Sequence, residues 1–205
     1  MNLLKTIKKL NKVVIYLTLS DVFTWGSFMI ISALTGLYLA QKLGQDAIQF
    51  VGIGTAIYFL TRSIFQIPIG RITDKYKKDK DEILILFVGI LLMGTPIIFY
   101  PSISLPDHYY ILQFIFGLGV ALNVTNWRKL FALNVDSGRE GRQYALYETI
   151  VSACTAILSI VGGYIANLGS MYFDMVISFA GIVIMLGSIW VYLIYRYESR
   201  KSNNH

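Results

Sequence analysis

The sequence predicts an all-α membrane protein of six transmembrane helices with both termini in the cytoplasm. Three observations lead there. Of the 205 residues, 55% are hydrophobic and only 15% are charged, and the mean hydropathy is +0.58. An ordinary soluble domain is roughly one-quarter charged. Six apolar segments approach or exceed the about 20 residues that a helix needs to cross a bilayer. Finally, Lys and Arg gather in alternate gaps between those segments: sixteen fall on one side and one, Lys42, on the other. The cytoplasmic side of a membrane protein carries that excess. One missed or extra span would scramble the alternation.

The chain opens with "MNLLKTIKKLNK". Leu3, Ile7 and Leu10 recur at helical spacing, with Lys5, Lys8, Lys9 and Lys12 around them. Residues 1–12 therefore read as a basic interfacial helix on an anionic leaflet. The apolar run after it is too long for a signal peptide, and it has no small-residue cleavage site. The spans are expected at 13–40, 48–69, 83–100, 109–131, 144–167 and 172–195. The membrane domain as a whole covers 13–197, and 198–205 form a polar, disordered tail. Ten-residue alternating segments, the mark of a membrane β-barrel, are absent. A single cysteine, Cys154, allows no internal disulfide. His108 and His205 make no metal-ligand set with it, so neither a metal nor another cofactor is expected.

The gap between spans 2 and 3 is the densest in charge: "IPIGRITDKYKKDKDE". A stop-transfer patch accounts for Lys77, Lys78 and Lys80. It does not account for Asp74, four residues after Gly70 on one helical face. An acid there is expected to pair with Arg71 or Lys75, or to cap a neighbouring helix N-terminus. Gly70 would let two helices approach closely.

"GRITDKYKKDK" resembles the loop 2–3 signature of the major facilitator superfamily. That signature runs Gly, three residues, Asp, Arg/Lys, one residue, Gly, Arg, Arg/Lys. Gly70, Asp74 and Lys75 match; Lys77 stands at the second Gly, Lys78 takes the Arg position and Asp79 replaces the last base. "LYLAQKLGQDAIQFVGIGTAIYFLTRSIFQIPIG" is similar to the span 1–2 region, and "LNVDSGREGRQYALYETI" to the loop entering span 5. In "LSIVGGYIA", Gly162 and Gly163 match the end of an antiporter motif, while Leu158 and Ser159 stand where its Gly-Pro would. The resemblance runs from Asn11 to Tyr197 and covers the N-terminal six-span half of a twelve-span family. It implies a half-length member, with the polar tail as a natural end, in a bacterial or archaeal cytoplasmic membrane. It makes Gly70, Arg71, Asp74, Lys75 and Lys78 the conformational-gate loop. It places spans 1, 2, 4 and 5 at the cavity or domain interface, with spans 3 and 6 facing outward. A complete cavity then needs a second copy or another half.

Polar residues inside spans are costly and mark that face. Span 1 offers Asp21, Trp25, Phe28, Ser32 and Thr35 as one helical stripe. Span 2 offers Thr55, Tyr58, Arg62 and Gln66. Span 4 offers Asn123, Asn126 and Trp127, and span 5 offers Glu148 and Ser152, flanked by Tyr144 and Tyr147. The cavity candidates are Asp21, Trp25, Arg62, Gln66, Asn123, Asn126, Trp127 and Glu148. Each has a structural reading beside the functional one. Asp21 could pair with Arg62 or a base at a span end, Glu148 with Arg128, Lys129 or Arg142, and the two Asn could simply join helices. Arg62 as a functional group would anchor an anion through its fork of donors. If protons drive transport, a carboxyl in the cavity must change charge, with Asp21 the first candidate and Glu148 the second. Asp174, at the external start of span 6, reads as a helix N-cap.

The expected activity is secondary transport of a small solute by alternating access, in a homodimer of half-size subunits. The runner-up is a membrane scaffold without transport, or one half of a heterodimeric transporter. Enzyme chemistry is not expected: no H-E-x-x-H and no intramembrane Ser with a His on another span is present. A pump driven by this chain alone would need a phosphate loop that the sequence lacks. A channel would need rings of like residues at one depth. Nucleic acid is not an expected partner; the lipid bilayer and a small molecule are.

Overall fold

The computed structural model describes residues 11–44, 46–75 and 79–203. Among the described residues six long helices follow one another: α1 (Lys12–Leu43), α2 (Ala47–Lys75), α3 (Asp79–Ile98), α4 (Pro106–Asn134), α5 (Glu140–Ala166) and α6 (Ser170–Asn203), with a 3-10 turn at Tyr100–Ser102 after α3. All six are long and apolar enough to cross a membrane. In hydrocarbon no water meets the backbone polar groups, so each segment must satisfy its own, and the helix does this. The protein is an integral, multi-pass, all-α membrane protein.

Local chemistry sets the boundaries. Asn11 caps α1, its Oδ1 accepting from Val13 N at 3.0 Å. Gly44, at φ 82°, ends that helix in a conformation that other residues rarely adopt. Pro106 opens α4 at the one position where its missing N–H costs nothing. All six helices start before the expected spans and most end beyond them, although α3 stops at Ile98 and α5 at Ala166, just short of the expected ends. In particular α6 continues to Asn203, through residues expected to form a disordered tail, because Glu198, Arg200 and Lys201 are good helix formers. Most of the expected interfacial segment, residues 1–10, lies outside the described residues, as do Lys77 and Lys78.

α3 packs against α4 on one side and α6 on the other. α2 lies on α4, and α1 lies on α6 and α5. The buried stripe of α3 is Ile83, Leu86, Ile90, Met93 and Ile97, each no more than 1% exposed. Its other contacts are backbone to backbone. A Cβ added at Gly89 would lie 3.0 Å from Gly119 O, and one at Gly119 would lie 2.8 Å from Met93 N. A Cβ on Gly181 of α6 would lie 2.9 Å from Gly94 O. Such approach is open only to glycine and is how membrane helices gain contact area. Gly70, expected to serve the same purpose, does not. A Cβ there meets only Thr125 Cγ2, at an ordinary 3.7 Å.

The connections place the ends of α1, α4 and α5 that carry Lys12, Asn134 and Glu140 at one end of the bundle with Lys75, here the basic end. Asn11 Nδ2 donates to Asn134 Oδ1 at 2.9 Å across it. Lys129 of α4 holds three elements together there. Its Nζ lies 2.7 Å from Glu82 Oε1 of α3 and 3.2 Å from Asp74 Oδ1 of α2, and it donates to Thr73 O at 3.1 Å. This corrects the expected partner of Asp74: the base comes from α4, not from Arg71 or Lys75. Neighbouring charges on one helix were legible in sequence, whereas a partner 55 residues away was not.

At the opposite end, Lys42 Nζ lies 3.0 Å from Asp174 Oδ1 and donates to Pro101 O at 3.3 Å. Tyr38 OH donates to the same carboxylate. Asp174 is thus not the expected N-cap. It sits inside the first turn and a half of α6 and ties α6 to α1. Gln113 donates to Tyr100 OH at 3.1 Å and to Tyr109 OH at 2.6 Å, which fastens the turn after α3 to α4.

Lys129→Met should destabilise the protein by about 3–5 kcal/mol, because it strands the Glu82 carboxylate, which is 3% exposed. Asp74→Ala, at a side chain 74% exposed, should cost no more than about 1 kcal/mol. Unfolding midpoints in mixed detergent measure both. Gly119→Leu should lower the midpoint further than Gly70→Ala, which should be near neutral.

Candidate functional site

A cleft of roughly 1020 Å³ opens between α1, α2, α4 and α5. From α1 it takes Asp21, Trp25 and Met29, each four residues after the last and so on one face. α2 contributes Arg62. α4 contributes Asn123, Val124, Trp127, Arg128 and Ala132. α5 supplies the longest wall, from Tyr144 and Tyr147 near the basic end to Thr155 and Ala156 deeper in. Neither α3 nor α6 adds a lining residue.

Asp21 is 1% exposed. Its Oδ2 accepts from Tyr147 OH at 2.7 Å, and its Oδ1 accepts weakly from Thr24 Oγ1 at 3.4 Å. The Tyr147 bond joins α1 to α5 over 126 residues of sequence. No ion pair with Arg62 forms, which corrects the structural reading of Asp21. A hydroxyl satisfies the carboxylate instead, leaving the guanidinium to others. Arg62 Nη1 donates only to Tyr58 OH, at 3.3 Å, and no carboxylate of the described residues lies within ion-pair distance of it. Glu148 likewise forms no ion pair with Arg128 or Lys129. The latter is engaged by Glu82 and Asp74.

Aromatic packing makes one wall rigid. Trp127 stacks on Phe131 at 4.6 Å and lies 4.8 Å from Tyr147. Its Nε1 donates to Leu17 O of α1 at 3.2 Å, so the ring is pinned with its N–H turned away. Trp25 meets Phe28 edge-on at 5.6 Å, and Phe28 stacks on Phe116 of α4 at 4.7 Å.

Six of the eight expected cavity residues line this cleft: Asp21, Trp25, Arg62, Asn123, Trp127 and Glu148. Gln66 does not; it lies one turn nearer the basic end of α2, beyond the lining. Asn126 does not either. It is fully buried, with Nδ2 donated to Leu122 O at 2.7 Å, one of the structural fates open to it. Phe28 and Thr35 turn into the bundle instead of the cleft, and Thr35 bonds its own helix at Ile31 O. Met29 and the α5 wall beyond Ser152 were not singled out by polarity. Met29 carries no charge or hydrogen bond to mark it, only its place four residues beyond Trp25.

Asn123 differs from every other polar residue of the cleft. It is 0% exposed, and neither its Nδ2 nor its Oδ1 has a partner. Most buried amides are bonded. This one is held at the cleft with a donor and an acceptor both unused.

The Asp21–Tyr147 bond carries a measurable expectation. Tyr147→Phe should destabilise by about 1–3 kcal/mol, since it leaves a buried acceptor unsatisfied. In a double-mutant cycle with Asp21→Leu, which removes the acceptor, the two losses should fall short of additive by about 0.5–3 kcal/mol. Additivity would mean that the bond contributes nothing to stability.

Comparison with known proteins agrees with this architecture. A family model described as Major Facilitator Superfamily matches residues 17–205. A Bacillus subtilis (strain 168) protein named "Uncharacterized MFS-type transporter YitZ" is 22% identical over 131 residues, which are 64% of this chain and 77% of that protein. That relative is therefore itself shorter than this chain. No solved structure matches. A six-helix bundle that places its cleft between helices 1, 2, 4 and 5 and matches the family from the first span onward leaves one assignment: the chain belongs to the Major Facilitator Superfamily.

Proposed function

We propose that this chain is one half of a secondary active transporter, which moves a small solute by alternating access as a dimer of identical subunits in a bacterial or archaeal cytoplasmic membrane, with both termini and the gate loop in the cytoplasm. The observation that carries this is the uncovered state of α2 and α5, the two helices that flank the cleft. Fourteen residues of α1 are buried, and only six of α2 and four of α5. A cleft whose two flanking helices are bare lacks its second wall.

α6 turns out Met175, Phe179, Ile182, Leu186 and Ile189, the large apolar side chains suited to lipid. α2 and α5 also turn large apolar side chains outward, among them Phe59, Leu60 and Ile64 of α2 and Ile157, Ile160 and Tyr164 of α5, but a small-residue stripe runs beside them. α5 turns out Ala145, Thr149, Ser152, Ala156 and Ser159, spaced four, three, four and three. α2 exposes Gly52, Ala56 and Ser63, and nothing lies within 4 Å of a Cβ added at Gly52. Small residues at this spacing let a second helix approach closely, and hydroxyls among them can bond across the contact. A two-fold axis along the membrane normal would set the cleft of one copy against that of the other. Rocking of the two halves would then open the joint cavity to each side in turn. The ion pairs at both ends of the bundle support movement as a rigid unit.

Native mass spectrometry from lipid nanodiscs should find two chains per particle. Thr149→Trp and Ser159→Trp, which place bulk on the small-residue face outside the cleft lining, should shift the distribution to single chains without loss of helical content. A single-chain mass for the unaltered protein would sink the homodimer and direct attention to a different partner half.

A further inference from the structure

We infer that the deep end of the cleft binds an organic anion: a carboxylate beside a group that both donates and accepts hydrogen bonds, carried on a flat apolar body. This rests on the cleft being the solute site proposed above.

Depth sorts the charges. Arg62 lies thirteen residues from Lys75 and Trp25 thirteen from Lys12, about 20 Å along their helices at 1.5 Å per residue. Asn123 is eleven residues from Asn134, about 16 Å in by the same rise. Asp21, at about 14 Å, lies within a turn of Asn123, while Glu148, at about 12 Å, and Arg128, at about 9 Å, lie nearer the basic end. Asp21 already accepts from Tyr147 and Thr24. Glu148 and Arg128 are of opposite sign in the shallow layer. Arg62 is thus the deepest formal charge of the cleft, and no carboxylate of the described residues lies within ion-pair distance of it.

The second observation is independent of charge. Asn123 is fully buried at the cleft, with both amide atoms unpaired. Leaving a buried polar group unpaired is costly, so a free donor and a free acceptor together suit a ligand group that offers both, such as an amide. The guanidinium fork suits a carboxylate bonded through two oxygens. Trp25 and the pinned face of Trp127 supply flat apolar walls. The volume fits a solute of drug size.

The probes are hippurate (an aromatic acid with an adjacent amide), its neutral carboxamide and the cationic primary amine of the same skeleton. Binding to the purified protein in nanodiscs is read by tryptophan fluorescence and checked by thermal shift. Hippurate should bind about ten-fold or more tightly than the carboxamide, and the amine weakest. Arg62→Gln should erase the preference for the acid while leaving the melting midpoint of the unliganded protein within a few degrees. Arg62→Lys, which keeps the charge but loses the fork, should retain part of it. Affinity for the acid that is absent, or no greater than for the carboxamide, overturns the inference. So does a preference that survives Arg62→Gln. Uptake into proteoliposomes separates this from the transport reading. Acid-selective binding without uptake would sustain the anion site and count against transport. Uptake of acid and carboxamide alike would sustain transport and overturn the anion site.

Discussion

Helices in hydrocarbon gain nothing from excluding water from one another, so their association rests on how closely their backbones can approach. In this chain that approach is closest around α3. Gly89 and Gly119 bring α3 against α4, and Gly94 and Gly181 bring it against α6. These contacts leave no room for a Cβ, so they set helix spacing more tightly than large side chains would. The stripe from Ile83 to Ile97 fills the remaining gaps. With α4 and α6 held to α3, α1 docks on α6 and α2 on α4. The cleft is the space left over on the far side, between α1, α2, α4 and α5.

Polar interactions then divide into two kinds. Those at the ends of the bundle are paired and structural: Lys129 with Glu82 and Asp74 at one end, Lys42 with Asp174 at the other. They cross between helices, and they keep the half-bundle from shearing. Those in the cleft are incompletely paired. Arg62 has one hydroxyl partner, and Asn123 has none for its side chain. Intramembrane polar groups are retained at a cost. Charges at both ends are paired, while Arg62 and Asn123 in the cleft keep unused bonding capacity, the feature on which the proposed solute site rests.

Asp21 lies between the two kinds. Its bond to Tyr147 joins α1 to α5, and α5 has few other buried positions. The carboxylate is therefore both a part of the cleft wall and a fastening for the least embedded helix. Any movement that alters its partner would be felt by α5, and hence by the small-residue face that α5 presents outward.

The sequence by itself determined the class and the six spans, because hydrocarbon allows few solutions, and its charge pattern carries the expectation of their sidedness. It also marked most of the site: a charge within an apolar span is conspicuous wherever it lies, so Asp21, Arg62 and Glu148 were legible without contacts. Partners were not legible. Lys129 rather than Lys75 meets Asp74, Asp174 meets Lys42 and Tyr38 instead of capping its helix, and Tyr147 rather than Arg62 satisfies Asp21. Each pairing joins helices far apart in the chain, and helical periodicity gives the face of a residue without its neighbour. The tertiary structure alone decided which polar groups are left over. Asn123 and Asn126 look alike three residues apart, yet one lines the cleft with both amide atoms free, while the other lies off it and bonds its own helix.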